Sequence, residues 1–383
     1  MVGREATSGP RGPVSWGVAS RPPLALLTLV RPARSGCATL AYLGEQAGGQ
    51  LRLLRQRRLV EEVLAEPGVA ADTKRRLRLA VEAREFGVRE LGLRGGDAYT
   101  RYLDTRGRPV AWNLSAAPKD QLGACLHRFP LVGATPYLGF FKESDARRAQ
   151  ARFEARGLDT YLRPVGGYST LGFTSDPIYD SMLEGSDAAI VEGVLHEMLH
   201  GTVFVPGRFD FNESLATLVG FHGAATFFRR RGDAREAQAL LDEAVRRQAR
   251  EERFGEWLEG TIASLEALYR AELPREEKLR RREALFVAAQ EDYRRRLPPA
   301  PGRPLPSLLR RPLNNAILAA GAVYHRELPL QRHLLGRLGG DLAALVRLTR
   351  HAAEEHDDAV AYLRDLAGLP PEPPRRRRAI PRC

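Results

Sequence analysis

Cysteine is scarce in this chain. The three present, Cys37, Cys125 and Cys383, are too few and too widely spaced for a disulfide framework or a zinc ribbon. Lysine is scarcer still for its class: four lysines stand among 59 basic residues, so the positive excess is almost entirely arginine. Those arginines are spread along the whole sequence, as genome-wide codon preference would spread them. A net charge of +12 is only the first of several signs that a nucleic-acid binder must show. No RNA- or DNA-binding module accompanies it and the aromatics are not interleaved with the basic runs, so no nucleic-acid partner is expected. Also lacking is any run of 18 or more uncharged apolar residues, and no spanning helix is predicted. What remains is the composition of a globular protein: 383 residues, 43% hydrophobic and 28% charged, ample for a sizeable core.

The chain reads in three parts. Residues 1–36 form a leader: Gly, Pro, Ser and Arg without periodicity up to 23, then a short apolar run from Leu24 to Val30, then Gly36 before Cys37. A basic start, an apolar stretch and a Gly-Cys pair resemble a bacterial lipoprotein signal with Cys37 as the lipidated residue. Arg34, however, stands where such a signal carries leucine. The competing reading is an unstructured leader ahead of a buried Cys37. Residues 37–369 read as a single unit. Residues 370–383, Pro-rich and carrying Arg375 to Arg378, read as a disordered tail, because clustered proline and like charge build no core.

Within the central unit, Leu51 to Ala65 and Lys74 to Arg94 place apolar residues at three- and four-residue intervals, the pattern of amphipathic helices. Residues 97–175 carry aromatic and β-branched residues between Gly and Pro, which predicts short strands and ordered loops. Helices return after 186, with one or two long charged ones over 233–296 and another over 340–367. The expected class is α+β, predominantly helical, with a small strand-containing region in the middle.

One constellation carries chemistry. Residues 196–200 read His-Glu-Met-Leu-His. On a helix, residues four apart share a face, so His196 and His200 can hold one metal ion from successive turns. Glu197, one residue on, lies beside an open coordination position and can accept a proton there. The segment from Asp187 to Leu199 is mostly apolar, the sequence of a buried helix. Two histidines and a glutamate on such a helix need partners, since an unpaired buried polar group costs roughly 2–7 kcal/mol. Zinc, which takes imidazole and carboxylate ligands, would satisfy them.

A third ligand must come from elsewhere. The metzincin pattern requires glycine at 203 and histidine at 206, where Val203 and Pro206 stand. Glu213 is the next candidate. Pro206-Gly207 breaks the chain, Asp210 or Asn212 can cap a new helix, and Glu213 would sit in the first turn of an antiparallel return. His222 competes, but nine residues from Glu213 it points the opposite way from the same helix.

These features, taken with several further blocks, are similar to a bacterial family of predicted zinc aminopeptidases, many of them envelope lipoproteins. The Asn-Glu-x-x-Ala that follows His-Glu-x-x-His resembles the gluzincin arrangement. The blocks are Gly36-Cys37 with YLGEQAGGQL at 42–51, FPLVGATPYLGFF at 129–141, GGYSTLGFTSDPIYDSML at 166–183, the segment at 194–220 and NNAILAAGAVYHRELP at 314–329. The resemblance implies a gluzincin-like core, one zinc ion on His196, His200 and Glu213, Glu197 as general base, a peptide substrate and a cell-envelope location on the periplasmic side. The alternative location is the cytoplasm.

Peptide hydrolysis also needs a donor for the developing oxyanion, and Tyr168 and the Tyr324-His325 pair are candidates. An aminopeptidase needs a carboxylate for the substrate's α-ammonium, for which Asp176 and Glu192 are candidates. The sequence thus predicts a zinc-dependent aminopeptidase. The alternatives are an endopeptidase with the same site and a non-catalytic zinc-binding envelope lipoprotein. A cleft closed at one end by an acidic residue would separate exopeptidase from endopeptidase.

Overall fold

The computed structural model describes residues 36–129, 133–166, 175–297, 310–322 and 328–371. Two compact units divide the chain, Met1–Glu45 and Gln46–Cys383. The sheets, the core and the site all belong to the second.

In chain order, the helix α1 (Gly36–Gln56) leads to strand β1 (Arg58–Leu59), α2 (Val60–Ala65) and α3 (Ala71–Leu91). Six strands and a helix follow: β2 (Arg101–Leu103), β3 (Ala111–Pro118), β4 (His127–Phe129), β5 (Gly133–Thr135), β6 (Leu138–Phe140), α4 (Glu143–Ala155) and β7 (Leu158–Val165). After β8 (Ile178–Tyr179) and a 3-10 turn at Asp180–Leu183 come the helices α5 (Asp187–His200), α6 (Phe209–Arg230), α7 (Ala234–Arg270) and α8 (Arg275–Arg296). The described chain closes with α9 (Asn315–Ala322), α10 (Leu328–Arg337), α11 (Leu342–Glu355) and α12 (Ala359–Leu366). The fold is mostly helical with a few small sheets, the expected α+β class.

Three expected boundaries move. The helix predicted over 51–65 is broken at Arg57, where the chain turns to pair β1 with β2 and the Val60 N–H donates to Thr100 O at 3.0 Å. The helix predicted over 340–367 is two, because the Asp358 side chain accepts the Ala361 N–H at 3.0 Å and starts α12 afresh. Residues 97–175 include the helix α4, whose Glu143–Arg147 and Asp145–Arg148 pairs and run without β-branched residues favour a helix over a strand.

Sheet order is β1-β2-β8, with β2 parallel to β8, and β6-β3-β7, wholly antiparallel, beside the hairpin β4-β5. The β3–β7 ladder runs in register from Ala111↔Val165 to Pro118↔Leu158. Two apolar clusters hold these layers. The larger joins α3, α5, α6, α10, α11 and α12 through residues such as Leu77, Leu195, Leu215, Leu334 and Leu345. The other joins α7, α8 and α9 to β3 and β7 through Trp257, Phe286, Ile317, Ala117 and Tyr161.

Candidate metal centre

The helix α5 is central because it packs one half of its surface into the core and leaves the other half partly open. Ile190, Val191, Val194, Leu195, Met198 and Leu199 are all buried along the packed half, while Glu192, Gly193, His196 and Glu197 stand partly exposed on the other. Its start is fixed by Ser186, whose side chain accepts the Ala189 N–H at 3.2 Å. Its end is tied to the loop after α3: Thr202 Oγ1 donates to Met198 O at 2.8 Å and accepts the Arg94 N–H at 2.9 Å.

The helices α5 and α6 approach closely at Gly220, where a β-carbon would meet Glu192 O at 2.9 Å and the His196 β-carbon at 3.4 Å. Any other residue there would push α6 away from the histidine. The connection between the helices turns at Gly207, whose φ of +75° favours glycine. Asn212 then fastens that connection. Its Oδ1 accepts the Val205 N–H and its Nδ2 donates to Val205 O, both at 2.9 Å and both buried. Asn212 and Asp210 therefore do not cap α6 as expected. The helix begins earlier, with Arg208 at the cap position and no side-chain capping bond.

This return places Glu213 against the histidines. His196 Nε2 and His200 Nε2 lie 3.3 Å apart, and each is 3.7 Å from an oxygen of Glu213. The three residues form a group that could hold a metal ion, with all their ligand atoms within 4.8 Å of one another. His222, on α6, is not part of it. Burial, with the charge of Arg332, holds its imidazole below the usual value.

The electrostatics are those of buried, mutually close groups. Burial acts first to lower the His196 pKa. The hydrogen bond to Glu213 and the charges of Glu197, Glu213 and Glu192 outweigh it and raise the value. Burial lowers that of His200. For Glu213 burial pushes the pKa up, but the bond to His196 and the positive charges of His200, His196 and Arg163 bring it below the usual carboxylate value.

Arg163, on β7, was not foreseen as a neighbour of the site, and neither was Tyr99. The latter is buried, has a positive φ of 59° and donates its N–H to Asp176 O at 2.7 Å. Burial, reinforced by the charges of Glu197 and Asp176, pushes its hydroxyl well above the ordinary tyrosine value. No sequence pattern marks a tyrosine for that conformation.

Of the other candidates, Glu192 lies one turn before His196 and Asp176 is buried near Tyr99. Tyr168, Tyr324 and His325 lie outside the described residues, as does most of the 370–383 tail. The side chain of Cys37, near the start of α1, is likewise outside them.

A family model described as "Putative aminopeptidase" matches residues 41–360. The chain belongs to that family. The match covers every element from within α1 to the start of α12 and includes the whole His196, His200 and Glu213 group. No curated protein and no solved structure matches the chain. Membership of the aminopeptidase family supports a peptidase function acting on peptide substrates.

Proposed function

We propose that the chain is a zinc-dependent aminopeptidase of gluzincin type, with His196, His200 and Glu213 as the metal ligands and Glu197 as the general base. The observation that carries this reading is the convergence of two imidazoles and a carboxylate, from α5 and α6, on one point. Zinc–nitrogen distances of about 2.0–2.1 Å in a tetrahedron separate two nitrogens by about 3.3 Å. The His196–His200 separation of 3.3 Å suits that ion. The donor set, two histidines and one glutamate, is also that of catalytic rather than structural zinc sites.

A zinc ion bound there would supply Lewis acidity and ease deprotonation of a water molecule. The chain's own residues do the rest. Glu197 is half-buried on α5 next to the ligand His196, and its charge acts on both His196 and Tyr99; in this reading it accepts the proton of the attacking water and passes it to the leaving amine. The buried helix pair keeps His196 and His200 from reorienting as charge moves. The test is Glu197→Gln, which removes the base and no ligand. We expect about one zinc per chain in both forms and a loss of aminoacyl-reporter hydrolysis of roughly 10²-fold or more in the variant. Equal turnover in the two forms would end the mechanism.

For location, we propose the bacterial envelope with an anchor on Cys37. Among the described residues no helix is long and apolar enough to cross a membrane, and the attachment proposed is through lipid on Cys37. Cys125 is fully buried and disulfide-bonded, which suits an oxidising compartment. Mass analysis of the native protein, fractionated beside Cys37→Ser, tests the anchor. A soluble wild type with an unmodified 1–36 leader would refute the anchor.

A further inference from the structure

One helical turn before Glu213, on the same side of α6, stands Asp210. Residues three apart on a helix are neighbours, about 5–6 Å between β-carbons. Asp210 lines a pocket of about 300 Å³, at the small end of the range for ligand sites. The other walls are apolar: Leu122 and Leu126 from the segment after β3, Pro136 after β5, Phe209 beside Asp210, Ile262 of α7 and Leu318 of α9. Among the described residues that line it, Asp210 is the only charged one. Three of the blocks that carry the family resemblance, at 129–141, 194–220 and 314–329, converge on this one cavity. Leu126 lies 36% exposed at its edge, an apolar side chain in contact with water as a docking surface requires.

The chemistry of such a site is specific. An apolar chamber accepts an apolar side chain, and a single carboxylate beside it accepts a cation. A ligand that presents both on one carbon is the amino-terminal residue of a peptide, with its α-ammonium and its side chain. The carboxylate is held in place by the start of α6. Its Oδ1 accepts the Phe211 N–H at 3.0 Å, and the guanidinium of Arg208 lies 3.8 Å away.

We infer that this pocket receives the amino-terminal residue of the substrate, that its walls select large apolar side chains, and that Asp210 binds the α-ammonium. The inference rests on the peptidase reading and deepens it. On this inference the acidic residue that closes the substrate site at its amino-terminal end, as an exopeptidase requires, is Asp210, in place of the Asp176 or Glu192 considered from sequence.

Equilibrium binding tests this apart from turnover. The full-length protein, carrying Glu197→Gln so that the amides are not hydrolysed, is titrated calorimetrically with L-leucinamide, glycinamide and N-acetyl-L-leucinamide. Leucinamide should bind at least about tenfold tighter than glycinamide, from burial of its side chain. It should also bind about tenfold or more tighter than the acetylated amide, from its charge-assisted bond. In Asp210→Asn the second preference should vanish while the first persists. In Ala319→Trp, a partly exposed wall position, the first should vanish while the second persists. Equal affinity for the three amides with the pocket residues intact, no binding of any of them, or an unchanged leucine preference in Ala319→Trp would overturn the pocket assignment. Leucinamide binding, with neither zinc nor hydrolysis in the wild type, would leave the pocket standing and overturn the peptidase reading instead.

Discussion

Two buried polar clusters stand in different parts of the molecule, and they are built on opposite principles. In the first, between α8, α9 and β7, donors meet acceptors. Arg282 binds Asp159 through two parallel bonds of 2.8 and 3.1 Å and also donates to Lys119 O at 2.6 Å. Asp159 accepts the Asn315 N–H at 3.0 Å, and Asn315 donates to Pro118 O at 2.7 Å and accepts from the Tyr269 hydroxyl at 3.0 Å. The side chains of the ion pair are only 5% and 6% exposed. In the second, between α5 and α6, two imidazoles and a carboxylate bring their electron-pair donor atoms within 4.8 Å of one another. A cluster of the first kind is complete within the protein and fastens the framework. One of the second kind is the ligand set proposed above, and its energy would depend on what it binds.

If that contrast is right, removal of a member has different consequences in the two places. The largest effect is expected in the ligand set. His196→Ala should reduce zinc from about one per chain to background, because two remaining ligands hold the ion weakly. Metal analysis after dialysis checks it, and full occupancy in the variant would dissolve the distinction. In the framework cluster, Arg282→Met leaves Asp159 buried without its cation, and breaking such a pair costs about 3–5 kcal/mol. The denaturation midpoint should fall accordingly, with zinc content and turnover of the folded protein retained. Loss of zinc in this variant would show that the two clusters are one coupled system.

How far the sequence announced each cluster follows from chain distance. The ligand set is mostly local. His196 and His200 sit on one face of a helix whose apolar composition already marks it as buried, and Glu213 follows after a proline-glycine turn. Every link in that inference spans a few residues. The framework cluster has no such trace, since Asp159 and Arg282 are 123 residues apart and each sits in an unremarkable charged context. The same reason accounts for the shifted helix boundaries. Amphipathic spacing runs unbroken through Arg57, and only pairing with the distant β2 strand stops the helix there. At Asp357-Asp358 a local signal did exist, because a capping aspartate was present in the sequence. Arg163, Tyr99 and the Asp210 pocket needed the assembled sheet and helices before they could be associated with the site.

The smallest expected effect probes whether the ligand set depends on the local stability of its own helix. Ser186 caps α5 by accepting the Ala189 N–H, and loss of an N-cap costs about 1 kcal/mol, within a range of roughly 0.5–2. The cost in Ser186→Ala should fall low in that range. Asp187 still complements the positive end of the helix, and a bidentate contact from Arg75, at 2.7 and 2.9 Å, continues to hold it against α3. The histidines lie roughly three turns further along, inside the apolar core, where fraying of the first turn does not reach. Thermal unfolding should therefore shift slightly downward while zinc stoichiometry and the catalytic rate stay at wild-type levels. A loss of zinc from so small a change would mean that the geometry of His196 and His200 is set by the whole of α5, cap included, and not by the packing of α5 against α6 at Gly220.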